Sequence, residues 1–315
     1  MILIISLLDN CKFEKYMYKT ICNSVRCFLV LVIYKLAYLF PDKLYLKLSF
    51  RLRVGYPLNL DAPKTFNEKI QWLKLNYRKP EFIRMVDKYN AKKYVANLIG
   101  EEHIIPTIGV YNNVDEIDWN ALPDQFVLKC THDSGGVVIC SDKSKLNIAT
   151  AKKKLKKGLH KGFYYQGREW PYKNVPRKII AEKYMVDESG VELKDYKFFC
   201  FNGVPQFLFV ATDRLKENEE VKFDFYDLEF NHIDVKNGHP NSSRRLSKPA
   251  GFDKMVEIAS VLSKDLPHLR VDLYDINGHI YFGELTFYHF SGFTPFVPLE
   301  WDYKFGEMIS LPLKQ

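Results

Sequence analysis

The chain has 315 residues, more than one compact core usually holds, so two or three structural units are the starting expectation. A hydrophobic fraction of 47%, with 23 Phe and 20 Tyr, supplies an ample core and argues against disorder. The net charge of +8, from 46 basic and 38 acidic residues, comes with no zinc-finger, helix-turn-helix or RNA-binding signature, so no nucleic-acid partner is expected.

Met1 to Phe50 reads as helical, broken at Pro41. Its apolar stretches are Met1 to Leu8 and Cys27 to Phe40. The first lacks the basic flank and small-residue exit of a signal peptide, and the second falls short of the ~20 apolar residues of a spanning helix. Residues 1–40 are read as helix packed on the body, with an interfacial membrane helix and then a true span as alternatives. Pro57 to Lys64 is turn-rich, Phe66 to about Leu75 is helical, and Asp87 to Ile99 shows helical spacing that stops at Gly100.

The period then changes. Phe126 to Lys129 and Val137 to Cys140 read as strands around Thr131-His132-Asp133-Ser134-Gly135-Gly136, and Ala151 to His160 reads as a basic helix. The run Lys152, Lys153, Lys154, Lys156 and Lys157 is read first as a solvated face, with steering of anionic substrate or membrane as the alternative. Lys178 to Met185 is a strand leaving into the hinge-like turn Asp187-Glu188-Ser189-Gly190. Strands follow at Tyr196 to Phe201, Gln206 to Ala211 and Lys222 to Tyr226. A helix from Phe252 to Leu262 carries Phe252, Met255, Ile258, Ala259 and Leu262 on one face. Leu269 to Tyr274 and Ile280 to Phe287 are strands around Asn277-Gly278. Mixed strands and helices in two blocks predict an α+β enzyme with a cleft between lobes. Cys11, Cys22, Cys27, Cys130, Cys140 and Cys200 show no C-x-x-C spacing and fit reduced thiols in the cytoplasm.

Several residues carry chemical potential. Gly135 and Gly136 after Ser134 present backbone N–H groups to phosphate, or form a plain hairpin turn. Lys129 interrupts an apolar strand, where a cation needs an anionic partner or must snorkel to the surface. Asp272 and Glu284 each lie in an apolar strand; hard oxygen ligands there suit Mg²⁺ bridging phosphates, and structural salt bridges are the alternative. A strict two-residue turn at Asn277-Gly278 pairs Asp272 with Gly283, so the metal reading requires a three-residue loop or a bulge. Asp195 and Lys197 share one face of their strand; Lys197 suits a phosphate or a cross-strand ion pair. His132, His239, His268 and His289 show no ligand spacing and read as structural. No D-x-D and no G-x-S-x-G occurs.

In this order the pieces resemble an ATP-grasp protein. Asp87-Lys88 resembles the first phosphate-contacting lysine, and Lys129 in "FVLKC" the second, followed by the flexible "THDSGG" loop. Glu182-Lys183-Tyr184-Met185 in "IIAEKYM" resembles the strand that holds adenine, with the ribose taken at or near Glu188. Asp272 and Glu284 resemble the paired magnesium ligands; the position two residues on, usually Asn, is Thr286, so Thr286 or a water fills in. "FNEKIQWLK", "DYKFFCFNG", "RVDLYDINGHIYFGELTF" and "WDYKFG" resemble the TupA-like branch, ATP-grasp amidoligases associated with capsule and teichuronopeptide synthesis.

The resemblance implies an α+β fold of two ATP-grasp lobes clasping ATP, with a helical region over residues 1–60, a first lobe over 61–185 and a second over 186–315. It implies ATP and Mg²⁺, with Lys88, Lys129 and Lys197 on the phosphates, and Ser134, Gly135, Gly136 and Asp195 also at the nucleotide. Arg270, with Ser291 and Gly292, is expected at the acceptor. The implied activity is ATP-dependent carboxylate–amine ligation through an acyl-phosphate, joining a sugar acid to an amino acid for surface polysaccharide. A kinase on the same fold and a glycosyltransferase are the alternatives. The expected place is the cytoplasm, at the inner membrane face if residues 1–40 contact lipid.

Overall fold

A computed structural model describes residues 25–187, 190, 193–213 and 220–313. The expectations for Met1 to Leu8, Cys11, Cys22 and Glu188 lie outside the described residues. From 25 to 99 the chain is helical: α1 (Val25–Lys35), α2 (Asp42–Arg53), α3 (Phe66–Asn76), α4 (Glu81–Val86) and α5 (Asn90–Ile99). Pro41 takes the N-cap position of α2, where its missing N–H removes no helical bond.

The start of α3 is fixed by its own sequence. Thr65 accepts from the Glu68 N–H at 3.2 Å, and the Glu68 carboxylate accepts from the N–H groups of Asn59, Lys64 and Thr65 at 3.1, 2.9 and 3.2 Å. This is a capping box with two further donors drawn in. A Glu68→Ala variant strands these donors and is expected to lose about 2–3 kcal/mol of stability. A urea midpoint equal to the parent's would refute that role.

Four strands form one antiparallel sheet, in the order β1 (Thr107–Tyr111), β4 (Ile179–Lys183), β2 (Phe126–Cys130), β3 (Val137–Cys140). Between β3 and β4 run α6 (Ile148–His160) and α7 (Phe163–Gly167). Helix α6 buries Ala151, Leu155 and Gly158, while most of its lysine run faces water, so the run is a solvated face.

The second sheet has the order β11-β10-β5-β6-β7-β8, with β5 at Asp195–Phe201, β6 at Val204–Thr212, β7 at Lys222–Asp227, β8 at His232–Ile233, β10 at His268–Ile276 and β11 at His279–Thr286. Strand β9 (Lys236–Asn237) pairs with β12 (Phe296–Val297), and α8 (Phe252–Ser263) and α9 (Glu300–Glu307) complete the chain. All seven residues of β5 are buried, because one face packs on α8 through Phe198 and Phe252 and the other on α3 through Phe199, Phe201 and Phe66. The five apolar residues expected on one face of α8 are all buried.

Two cores result. The larger joins α2 to α5, the six-stranded sheet, α8 and α9; the smaller lies between the four-stranded sheet and α6. Helix α9 is drawn onto α3 at Asp302, whose carboxylate accepts from both the Asn67 N–H and the Asn67 amide at 2.9 Å. Gly306 makes that contact feasible, since a Cβ there would lie 2.1 Å from the Lys64 carbonyl oxygen. Helix α4 and strands β1, β8, β9 and β12 were not expected from the sequence; each is too short to show a period.

Candidate functional site

The hairpin of β10 and β11 turns on two residues, Asn277 and Gly278, both with positive φ (54° and 84°), which matches the twist of paired strands. From that turn the ladder runs Ile276↔His279 to Leu273↔Phe282, then slips so that Asp272 faces Glu284. Gly283 is the bulged residue. A Cβ there would come within 2.9 Å of the Asp272 carbonyl oxygen, so glycine permits the slip. The two carboxylates thus share one face through a bulge, with the two-residue turn intact.

Strand β5 brings Lys197 opposite Asp272. Lys197 Nζ pairs with Asp272 Oδ2 and, at 2.6 Å, with Asp195 Oδ2. Arg270 grips the same carboxylate with two prongs, Nε to Oδ1 and Nη2 to Oδ2, both at 2.7 Å, and reaches Glu284 Oε1 at 3.0 Å. Asp272 is 1% exposed: burial pushes its carboxyl up, and Arg270 and Lys197 pull it back. Burial also acts upward on Glu284, but Lys88, Lys197 and Arg270 outweigh it and bring the group down to about 2. The Glu284 side chain keeps 41% of its surface, so water screens those charges without reversing the direction.

His289 orients the arginine. Burial and then Arg270 push its imidazole well below the usual range, so it is neutral. Its Nδ1 accepts from Arg270 Nη1 at 2.9 Å, which assigns the proton to Nε2, donating to Asn237 Oδ1 at 2.8 Å. Asn237 donates onward to the carbonyls of Thr294 and Pro295, each at 3.1 Å.

On the other sheet, Lys129 Nζ pairs with Glu182 Oε2 at 2.7 Å, and Lys92 of α5 pairs with Glu182 Oε1 at 2.5 Å. Burial alone would raise Glu182; Lys129 and Lys92 hold it below the usual carboxylate range. Lys88 precedes α5, in a turn where Asp87 Oδ1 accepts from the Tyr89 and Asn90 N–H groups at 2.9 and 3.4 Å. Lys88 donates its Nζ to the Asp133 carbonyl at 2.6 Å, tying it to the glycine loop. Within that loop Ser134 and Gly135 are exposed, and Gly135 (φ 111°) has open space where a Cβ would be. Gly136 is packed: a Cβ would lie 2.9 Å from both Asp133 Oδ1 and Cys130 Sγ.

Of the residues singled out by sequence, Arg270, Asp272, Glu284, Lys197 and Asp195 form one cluster, with Thr286 half-buried two residues along the strand from Glu284. Lys129 and Glu182 form a second cluster, and Lys183, Tyr184 and Met185 lead away from it with at least partial exposure. Sequence reading missed Lys92, His289 and Asn237. Lys92 follows Lys88 by four residues in the Asp87–Ile99 stretch, a spacing that marks a shared side; nothing local marks His289. A cavity of about 570 Å³ runs beside Asn90, Lys92, Lys93 and Thr107, but none of Arg270, Asp272 or Glu284 lines it.

Asp272 and Glu284 fit a magnesium ion of the kind that takes one or two carboxylates and completes its shell with phosphate oxygens and water. Among the described residues no group of three or more His, Cys, Asp or Glu could hold a metal ion, so no all-protein cage is built.

The sequence matches the TupA-like ATPgrasp family over residues 68–310. No curated protein matches. Similar solved structures include a D-alanine–D-alanine ligase from Bacillus anthracis complexed with ATP (17% identity, 64% of this chain and 54% of that one, TM-score 0.37). The corresponding Helicobacter pylori ligase has 13% identity over 78% and 69%, with TM-score 0.41. An N5-carboxyaminoimidazole synthase from Aspergillus clavatus, in complex with ADP, has 14% identity over 66% and 46%, with TM-score 0.36. The chain thus spans about half the length of the first and third of these proteins.

Proposed function

The chain belongs to the TupA-like ATP-grasp family, an α+β fold, and from that premise we propose that it is an ATP-dependent carboxylate–amine ligase. The observation that carries this reading is the register slip at Gly283, which sets Asp272 and Glu284 side by side against Arg270 and Lys197. Two carboxylates, a guanidinium and an ammonium are the groups needed where a phosphoryl group meets an incoming carboxylate.

In this reading Lys88, Lys129 and Lys197 bind the phosphates of ATP, and Ser134, Gly135 and Gly136 cover them. Glu182 and the backbone of Lys183, Tyr184 and Met185 hold adenine. Mg²⁺ held by Asp272 and Glu284 would neutralise phosphate charge. A substrate carboxylate oxygen attacks the γ-phosphorus; that O–P bond forms as the bond to the ADP oxygen breaks. Arg270 orients the carboxylate and balances the charge on the transferring group. An amine nitrogen then attacks the acyl carbon, the C–O bond breaks, and phosphate departs. The exposed tip of the Thr131–Gly136 loop is the part free to move, and its closure would keep water off the acyl-phosphate.

For the substrates we assign a hexuronic acid and an amino acid, supported by the association of the family with surface polysaccharide. The test is ADP release from Mg-ATP across a panel of uronic acids and amino acids, with and without hydroxylamine. Carboxylate-dependent release with a trapped hydroxamate supports the ligase. A stable phosphorylated product without hydroxamate would make the protein a kinase and overturn the reading.

We place the enzyme at the inner face of the cell membrane, held by α1 and the turn after it. Phe28, Tyr38 and Leu39 are 61, 67 and 62% exposed there, beside Lys35, Lys43 and Lys47. No described helix is long and apolar enough to cross a membrane. Co-sedimentation with phosphatidylglycerol vesicles but not phosphatidylcholine vesicles is expected, and a Phe28/Tyr38/Leu39→Ser variant should lose it. Equal recovery with both lipids, or with none, refutes the placement.

A further inference from the structure

The cavity of about 570 Å³ beside α5 takes its walls from two pieces of chain. One is the outer side of α5, where Asn90, Lys93 and Asn97 recur at the three- and four-residue spacing that stacks side chains on one face. The other is the segment from Glu101 to Thr107. None of the lysines, loop residues or carboxylates assigned above to ATP and Mg²⁺ lines this space, so it is separate from the nucleotide cleft.

Both walls are held in place before any ligand arrives. Helix α5 buries Ala91, Val95 and Ala96 on its inner side. Ile104 bridges to Phe282 of β11, and the Pro106 carbonyl accepts from the Lys183 N–H of β4 at 3.0 Å, so the segment is tied to both sheets. Lys92 fastens one wall to the other. Its Nζ donates to the Ile105 carbonyl at 2.6 Å and to the Thr107 hydroxyl at 3.1 Å, and pairs with Glu182 at 2.5 Å. A pre-formed concavity of about 300–1000 Å³ at the junction of two lobes is where small ligands are usually held.

The lining combines an aromatic ring with an amide, a carboxylate and an ammonium. Tyr89 is 39% exposed at this cavity. Among the described residues the side chains of Tyr89, Lys93, Asn97 and Glu101 make no hydrogen bond, ion pair or ring contact. That set matches an acidic sugar. A pyranose offers a C–H face, which packs on an aromatic ring, and pairs of hydroxyls, which bond the planar ends of amides and carboxylates. Lys93 supplies the cation for a sugar carboxylate. A nucleoside polyphosphate fits less well, because Glu101 repels it and the other lining cation, Lys92, is already paired. A free amino acid has charges for Lys93 and Glu101 but fills only a fraction of the space. We propose that this cavity is a binding site for an acidic oligosaccharide, with Tyr89 against a sugar ring, Asn97 and Glu101 on its hydroxyls and Lys93 on a carboxylate. The saccharide class follows from the lining. Its role as a second hold on the glycan being modified, apart from the carboxylate at Arg270, rests on the ligase reading.

The probe is trigalacturonate, titrated calorimetrically into the full chain without nucleotide. Saturable binding is expected, weakened about 10-fold in Lys93→Ala, as for loss of a charged hydrogen-bond partner. Tyr89→Ala should weaken it about 2–10-fold through loss of the ring. Both positions are exposed, and urea midpoints equal to the parent's verify that the variants fold. Maltotriose, which lacks the carboxylates, should bind more weakly and be indifferent to Lys93→Ala. Galacturonate alone, which fills less of the space, should also bind more weakly, and Mg-ADP at saturation should not displace the trimer. Failure of the parent to release ADP with every carboxylate tried counts against the ligase reading, with trimer binding still deciding the cavity. No saturable binding to the parent, parental affinity in folded Lys93→Ala and Tyr89→Ala, displacement by Mg-ADP, or tighter binding of glutamate or galacturonate than of the trimer would overturn the proposal.

Discussion

An Arg270→Met variant is expected to lose carboxylate-dependent ADP release altogether and about 3–5 kcal/mol of stability. Arg270 supplies both prongs of the grip on Asp272, a bond to Glu284 and the donor to His289, all in the interior. Methionine matches much of its volume but leaves Asp272, 1% exposed, with Lys197 alone, and removing one partner of a buried ion network strands the other. Arg270→Lys keeps the charge but not the fork, so it should recover part of the stability and little of the turnover. Urea unfolding and ADP release measured on the same preparations separate the two effects. A Met variant that unfolds at the parental midpoint and still turns over would remove Arg270 from the centre of the site.

Lys129→Ala is expected to behave in the opposite way, with turnover down ~10² to 10³-fold, the usual consequence of deleting one preorganised electrostatic group. Its side chain is partly exposed, and Glu182 keeps a second lysine, Lys92, at 2.5 Å, so stability should change little. Turnover within tenfold of the parent would mean that Lys129 serves Glu182 and not a nucleotide.

Much of the frame was legible because the signals were local. The helical stretch from Phe66, the apolar face of α8 and the Asn277-Gly278 turn each declare themselves within a few residues. The pairing of Asp272 with Glu284 was only half legible. Alternation placed each in a strand, but a loop and a bulge answer the register question equally well. Whether Gly283 slips depends on Tyr274 and the Asp272 backbone across the ladder. Glu182 marks a harder limit. Its two lysines come from another strand and from α5, so no window of sequence contains the cluster. The neutral state of His289 likewise follows from a guanidinium on β10 and from burial.

The clasp of α3 by α9 also bears on the order in which the protein is made. The four-stranded lobe and α6 are drawn almost wholly from residues 107–183, so that lobe has its partners in hand while the remainder is still being synthesised. Helix α3 emerges much earlier but waits longer. Its buried face meets Phe199 and Phe201 of β5, its Asn67 meets Asp302, and its Lys69 donates to the Ile309 carbonyl at 2.8 Å. A nascent chain therefore carries Phe66 and Lys69 without these partners until Phe199, Phe201 and Ile309 have been made, about 130 to 240 residues later in the chain.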